Sequence, residues 1–199
     1  MDAALSVFAK VGVRATTLED VAALAGVTRG AVYWHFADKA ALVSEVVAGL
    51  QWPLDIGSDI TGYEAHQQPL RLLHQQLSLQ LARCMEDPVQ WRTIQLVLCH
   101  GLRADLPADA MVQIERAMIR AARHVAQVMA IARERHQLRE GLRPAAAARC
   151  LHTVGIGMLS ARANEWPHAR QLAPPTSLDL FMLGICRDPS ATLHTAAWR

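Results

Sequence analysis

The chain has 199 residues, of which 52% are hydrophobic and only 5% aromatic, and its formal net charge is +2. This composition, rich in alanine and leucine, favours packed helices over sheets, because strands prefer β-branched and aromatic residues. No apolar run reaches the roughly 18 uncharged residues of a membrane span, and the N-terminus lacks the basic and apolar pattern of a secretory signal. We therefore expect a cytoplasmic protein with no membrane contact.

Four short helices are predicted in the first fifty residues. An apolar stripe at helical spacing ends at Gly12, a residue type that often caps helix C-termini. Thr17, followed three positions later by an acid, predicts the start of a second helix, and Gly26 ends it. Thr28 is the expected cap of a third helix, and Asp38 is the expected cap of a fourth that runs to about residue 52.

The rest of the chain continues with helical periodicity and a weaker connection from 56 to 68. Proline lies near the start of several of these segments, where its missing N–H costs least. The sequence therefore predicts an all-α protein of about nine helices. Beyond the first four, they are expected at about 69–86, 88–103, 107–137, 144–164 and 176–187.

The segment 17–36 has the proportions of a helix-turn-helix, in which two short helices cross at a tight turn. Ala22 is small enough to let the helices approach, and Gly26 can adopt the positive φ of the turn. We expect Val21, Val27 and Val32 to anchor the motif in the core. The other side of the second helix then faces solvent, where it can enter a DNA major groove.

Exposed side chains of this motif are the candidate DNA contacts. Gly30 and Ala31 let the backbone approach the groove, and Arg29 can reach a guanine edge or a phosphate. Lys39 brings its charge and the N–H groups of a helix start to a phosphate. The alternative is a helical hairpin without function. The full candidate set is Thr17, Thr28, Arg29, Gly30, Ala31, Tyr33, Trp34, His35 and Lys39.

The stretch 17–39 resembles the signature of the TetR/AcrR family of transcriptional regulators over 23 positions. It contains the alanine-glycine-valine turn, the tyrosine-x-histidine-phenylalanine element and the lysine that follows. Phe36 matches a core position of that family. The resemblance implies phosphate-contacting roles for Thr17, Tyr33, His35 and Lys39. It implies base-reading roles for Thr28, Arg29, Gly30 and Trp34.

Two features depart from that family pattern. Residues 1–50 carry four basic and five acidic residues, so counterion release on DNA binding would be modest for this segment alone. The first helix also begins at the first residue, without the basic lead-in that family members usually have. This predicts a truncated or alternatively started chain.

Apolar stripes with a few polar groups run through residues 54–199. Apolar walls with a few hydrogen-bonding groups are typical of ligand pockets. A packed helical bundle without a ligand has the same periodicity. This half resembles the drug-responsive efflux-pump repressors of the family, which implies a small, largely apolar or amphipathic inducer. The implied pocket positions are Leu70, Leu73, His74, Leu77, Gln95, Cys99, Val125, Leu151, Val154 and Met158.

The last two predicted helices are the expected dimer interface. Gly155, Gly157 and Ala161 permit close helix approach, and apolar residues from 178 to 185 offer a large contact area. A two-fold homodimer also matches the pseudo-palindromic operators of double-stranded DNA that helix-turn-helix proteins read. We therefore expect a helix-turn-helix DNA-binding domain at 1–45, followed by a larger ligand-binding and dimerisation bundle at 46–199.

Two other classes of function would leave different signs in the sequence. Nine histidines and four cysteines follow no zinc spacing, and no nucleophile elbow, Walker loop or dinucleotide fingerprint is present, so neither a cofactor nor an enzyme activity is predicted. A cysteine-based redox sensor of the same architecture would use Cys99 and Cys150. Their apolar neighbours instead predict buried, unreactive thiols.

Overall fold

A computed structural model describes residues 1–167 and 174–189. Over those residues the chain is helical with no strand, apart from an isolated bridge between Leu138 and Cys186, which confirms the all-α prediction. The helices are α1 (Asp2–Ala15), α2 (Leu18–Ala25), α3 (Arg29–His35), α4 (Lys39–Ala48), α5 (Thr61–Ala65), α6 (Pro69–Glu86), α7 (Pro88–Leu98), α8 (His100–Arg103), α9 (Ala108–Glu134), α10 (Pro144–Ala163) and α11 (Pro174–Ile185).

Eleven helices therefore stand where about nine were expected in the part of the chain that is described. The difference lies in two short helices, α5 and α8, since the predicted helix at 88–103 is interrupted at Cys99, whose φ and ψ are extended. Within residues 1–167 and 174–189, no helix is both long and apolar enough to cross a bilayer.

The chain packs into two compact units. The first comprises Met1–Gln51 and Cys84–Arg116, and the second comprises Trp52–Arg83 and Ala117–Arg199. Helices α6 and α9 contribute residues to both units. The predicted division at residue 45 concerns function rather than packing and stays a prediction.

The first unit is built around α1. Its inner face buries Leu5 and Phe8 almost completely, and the burial of these apolar side chains stabilises the unit. The side chain of Arg92 on α7 donates to Asp2 at 2.5 Å and to Ser6 at 3.1 Å, so α7 is also tied to α1 through polar contacts. Gly12 does not end α1 as expected; its φ of 83° kinks the helix, which continues to Ala15.

Asp55 organises the second unit. Its carboxylate accepts hydrogen bonds from Nδ1 of His124 at 2.7 Å and from Nε of Arg120 at 3.1 Å, both on α9. Burial by itself raises the pKa of Asp55, but the hydrogen bonds from His124, the Gly57 amide and Arg120 outweigh it and lower the pKa. Because the ionised carboxylate can only accept, Nδ1 of His124 is the donor.

The segment around Asp55 also packs against α10. Leu54 is 2% exposed, and a Cβ placed on Gly155 would lie 2.6 Å and 2.8 Å from its two methyl groups. Gly155 is therefore the position in α10 that accepts the Leu54 side chain. Gly157, one half-turn further, has nothing within 4 Å of a Cβ built there.

We expect Gly155→Ala to lower the free energy of unfolding by about 1 kcal/mol, because overpacking against buried Leu54 outweighs the gain in helix propensity. The matched variant Gly157→Ala should raise it by about 0.5–1 kcal/mol through helix propensity alone. Urea unfolding followed by circular dichroism measures both values. Equal stabilisation by the two variants would contradict the tight Leu54 contact.

We expect Asp55→Asn to lower the free energy of unfolding at pH 7 by about 2 kcal/mol, because its hydrogen bonds to charged donors are lost. The folded-state pKa of Asp55 is lowered, so its contribution is complete above the unfolded pKa of about 3.9 and is lost as pH falls through the folded pKa. The gap between wild type and variant should therefore begin to close as pH falls below about 4 and should disappear below the folded pKa. The control is Glu115→Gln, an exposed acid of α9, and a gap between wild type and Asp55→Asn that does not narrow as pH falls below about 4 would contradict the assignment.

Candidate nucleic-acid interface

Helix α2 begins with a complete capping box. The Thr17 hydroxyl accepts from the Asp20 amide at 3.1 Å, and the Asp20 carboxylate accepts from the Thr17 amide at 2.8 Å. At the other end, Gly26 adopts the left-handed conformation with a φ of 68°, and the Val27 amide donates back to the Ala22 carbonyl at 3.1 Å. Both ends of α2 follow the chemistry expected from the sequence, and the helix-turn-helix is confirmed.

Helix α3 is held by a cap and one apolar anchor. The Thr28 hydroxyl accepts from the Ala31 amide at 3.2 Å, and Val32 is the buried residue of the helix at 7% exposure. Val27, expected to be a second anchor, is instead 48% exposed. It lies in the turn between the left-handed Gly26 and the Thr28 cap.

Eight of the nine predicted DNA contacts are exposed. Trp34 is 83% exposed, and its ring meets the His35 ring edge-on at a centroid distance of 4.7 Å. Large aromatic side chains in water are typical of surfaces that bind a partner. The exposed candidates are Thr17, Thr28, Arg29, Gly30, Ala31, Tyr33, Trp34 and His35, and Lys39 is half-buried.

Lys39 has a structural role that the sequence did not reveal. Its Nζ donates to the carbonyls of Arg14 at 2.7 Å and of Thr16 at 2.8 Å, and so caps the end of α1. An ammonium group carries three N–H donors, so these two bonds leave one for a phosphate. The predicted phosphate contact is compatible with this geometry and stays a prediction.

Glu19 is the residue of this surface that sequence reasoning missed. Its Oε1 accepts from the Tyr33 hydroxyl at 3.2 Å and lies 2.8 Å from a guanidinium nitrogen of Arg29. The Arg29 guanidinium in turn lies 5.1 Å from the centre of the Tyr33 ring. The pKa of Glu19 is lowered, first by its own backbone N–H and then by Tyr33 and Arg29, so the carboxylate is ionised at neutral pH. We call these three side chains the Glu19 triangle.

The predicted ligand positions divide between the two units. Gln95 and Cys99 belong to the first unit and are half-buried, whereas the other eight belong to the second unit. Five of those eight are almost wholly buried, and three are half-buried. The buried five are Leu70, Leu73, Leu77, Val125 and Leu151, and the half-buried three are His74, Val154 and Met158.

His74 already has a partner within its unit. Its Nε2 lies 2.5 Å from Oδ1 of Asp179, and this pair joins α6 to α11. A ligand that hydrogen bonds to Nε2 of His74 would compete with Asp179. The ligand role of His74 therefore stays a prediction, and its structural role is to tie two helices together.

Several buried polar atoms of the second unit have no hydrogen-bond partner. They include Nε1 of Trp52 and both ring nitrogens of His152, and the two rings lie 6.0 Å apart between centroids. Burial lowers the pKa of His152, so its ring is neutral at pH 7 and carries one donor and one acceptor. Buried polar groups normally bind protein, water or ligand atoms, so these nitrogens have unused hydrogen-bonding capacity.

The cysteines differ in exposure. Cys84 and Cys186 are buried and Cys99 is half-buried, but Cys150 is exposed, so the expectation of a buried thiol is wrong at that position. Burial, with a smaller effect of Asp87, raises the pKa of Cys84 to about 11, which disfavours the reactive thiolate. Within the described residues, no group of three or more histidine, cysteine or acidic side chains is placed to hold a metal ion.

Residues 1–46 match the model of the bacterial regulatory proteins of the tetR family. The regulator TtgR of Pseudomonas putida is 39% identical over 100 residues, which are 50% of this chain and 47% of TtgR. The chain thus spans less than half the length of TtgR, and the same is true of other curated relatives that it matches.

Solved structures cover nearly the whole chain. SmeT, described as the repressor of the Stenotrophomonas maltophilia multidrug efflux pump SmeDEF, is 30% identical, with 94% of this chain and 88% of SmeT covered and a TM-score of 0.71. A complex of SmeT with triclosan has a TM-score of 0.74 at 28% identity, covering 94% of this chain and 90% of that one. NalD, described as the secondary repressor of the Pseudomonas aeruginosa pump MexAB-OprM, is 28% identical over 94% of this chain and 93% of its own, with a TM-score of 0.69.

Proposed function

We infer that this chain, which belongs to the TetR family of bacterial regulatory proteins, is a ligand-responsive transcriptional repressor that binds a pseudo-palindromic operator. The observation that carries the proposal is the geometry of α3. One buried valine and a threonine cap hold the helix in place, while the remaining side chains from Arg29 to His35 are exposed. A helix that is fixed at one face and bare on the other is suited to the major groove.

The individual contacts follow from the chemistry of each position. Gly30 and Ala31 add no bulk, so the backbone of α3 can approach the base edges. Arg29 is the cation of α3 and would pair with a guanine edge or a phosphate, and Tyr33 would donate to a phosphate oxygen. Phosphate contacts of this kind set the register of the helix, and the base contacts supply sequence preference.

A homodimer would present two such helices. Helices α10 and α11 pack against each other, and on α11 Leu178 is buried while Leu180 is 53% exposed. Gly157 is exposed and open, which leaves room for the close approach of a second copy. Two-fold symmetry would place the reading helices about 34–36 Å apart, one turn of DNA.

We further propose that the second unit binds a small, largely apolar inducer. Apolar surface for such a ligand comes from the buried leucines on one face of α6 and from the apolar positions of α9 and α10. The unpartnered nitrogens of Trp52 and His152 would orient one polar group of the ligand. SmeT has been solved with triclosan, a compound of this character, and SmeT and NalD are described as efflux-pump repressors. By analogy, this chain would act in the cytoplasm as a regulator of the expression of a multidrug efflux pump. It would not be an enzyme.

We expect Tyr33→Phe to weaken operator binding about ten- to thirtyfold for a dimer, because each half-site loses a hydrogen bond to a phosphate. The probe is a fluorescein-labelled duplex enriched by the wild-type chain from a random-sequence library. Fluorescence anisotropy at fixed salt gives the dissociation constants.

The chain has two tyrosines, which provides a matched control. Tyr63 is buried in the second unit, where its hydroxyl donates to Gln76. Tyr63→Phe therefore also removes a tyrosine hydroxyl, but from a residue outside α3. This control should bind the duplex like wild type. If Tyr33→Phe also binds like wild type, the assignment of α3 as the DNA-contacting helix is wrong.

A further inference from the structure

The acidic residues of the helix-turn-helix segment have different roles in the structure. Asp2 pairs with an arginine of α7, Asp20 completes the cap of α2, and the Asp38 carboxylate accepts from the Ala41 amide to cap α4. These three carboxylates are each engaged in holding a helix. Glu19 is instead engaged by Arg29 and Tyr33, two side chains that α3 would offer to DNA.

The Glu19 triangle neutralises the positive charge of α3, the helix proposed to contact DNA. Arg29 is the one lysine or arginine within α3, and its guanidinium is paired to the Glu19 carboxylate at 2.8 Å. The same carboxylate oxygen accepts a hydrogen bond from the Tyr33 hydroxyl, with 3.2 Å between the two oxygens. A phosphate that accepts from the single Tyr33 O–H must therefore displace Glu19, and a base edge that binds Arg29 competes with Glu19 for the guanidinium.

We propose that Glu19 is a specificity-determining residue that competes with DNA for Arg29 and Tyr33. The proposal rests on the DNA-binding function proposed above. An operator that presents a guanine edge to Arg29 and a phosphate to Tyr33 replaces both contacts of the triangle at once. A duplex of unrelated sequence offers phosphate charge only, and the Glu19 carboxylate repels that charge.

The exposure of the pair indicates competition rather than rigid positioning. The side chains of Arg29 and Glu19 are 68% and 41% exposed, and ion pairs in water contribute little to holding a geometry. Such a pair is displaced readily when a better partner arrives. A bidentate contact between arginine and guanine discriminates by about five- to hundredfold, which is enough to displace it.

The test compares Glu19→Gln with the wild-type full chain on two probes. The first is a duplex pool enriched by the wild-type chain from a random library, and the second is the unenriched pool of the same length. Glutamine keeps an oxygen that accepts from Tyr33 but removes the charge. We expect the dissociation constant for the enriched pool to fall about fivefold, because the operator no longer has to displace the Glu19 carboxylate, and that for the unenriched pool to fall by a smaller factor.

The salt dependence provides a second readout. Release of Arg29 for phosphate contact should steepen the slope of log K against log salt by about one per reading helix on the unenriched pool. Thermal denaturation of both proteins checks that the exchange leaves the fold intact, since Glu19 lies in the first turn of α2.

Glu45→Gln is the matched control, because Glu45 is an exposed acid on α4 and the change in net charge is the same. It should leave the ratio of the two dissociation constants unchanged. Equal effects of Glu45→Gln and Glu19→Gln would overturn the proposal in favour of net charge alone. Equal weakening of both pools by Glu19→Gln would overturn it in favour of a positioning role.

The failure of this inference differs from the failure of the proposed function. If the wild-type chain enriches no sequence and binds no duplex, the DNA-binding function itself is wrong and the inference falls with it. If the wild-type chain binds and Tyr33→Phe binds about ten- to thirtyfold more weakly, but Glu19→Gln leaves the ratio of the two dissociation constants unchanged, only the role of Glu19 is wrong.

Discussion

A seven-residue helix that must expose nearly all of its side chains is the constraint on which the first unit depends. An isolated helix of this length is not stable in water, so α3 requires support from its surroundings. Val32 anchors its inner face, Thr28 caps its start, and the left-handed Gly26 fixes the angle at which it leaves α2. These few residues leave the outer surface of α3 available for binding.

The support of α3 has consequences for charge. Carboxylates make effective helix caps, and this segment uses Asp20 and Asp38 in that way. The acids that stabilise the helices also cancel the lysines and arginines that would attract DNA, which leaves four basic against five acidic residues in the first fifty. A DNA-binding segment with almost no net charge binds unrelated DNA weakly. Its selectivity between sequences then depends mainly on direct contacts from α3.

Local sequence chemistry predicted the helices and the turn well. The capping threonines at 17 and 28, the turn glycine at 26 and the prolines near helix starts act within four residues, so their effects are readable from the sequence alone. The kink at Gly12 and the exposure of Val27 were not predicted. Both depend on whether the chain continues or leaves a helix at that point, which a residue type does not decide.

Contacts between distant parts of the chain could not be predicted. Glu19 and Tyr33 are 14 residues apart, and His74 and Asp179 are 105 apart, so no spacing rule connects them. The fit of Leu54 against Gly155 likewise depends on tertiary packing. For this reason the sequence identified the surface of α3 but missed the carboxylate that occupies it, and it proposed His74 as a ligand contact without its aspartate partner.

One measurement tests the central claim that the chain is a ligand-responsive DNA reader. The full chain is used to enrich duplexes of about 30 base pairs, long enough for two half-sites one helical turn apart, from a random library. The bound complex is then titrated with triclosan and followed by anisotropy. The account predicts enrichment of a pseudo-palindromic sequence and its release by triclosan or a similarly apolar phenol. Failure to enrich any sequence would contradict the account, and a complex that no apolar compound releases would contradict its sensing half.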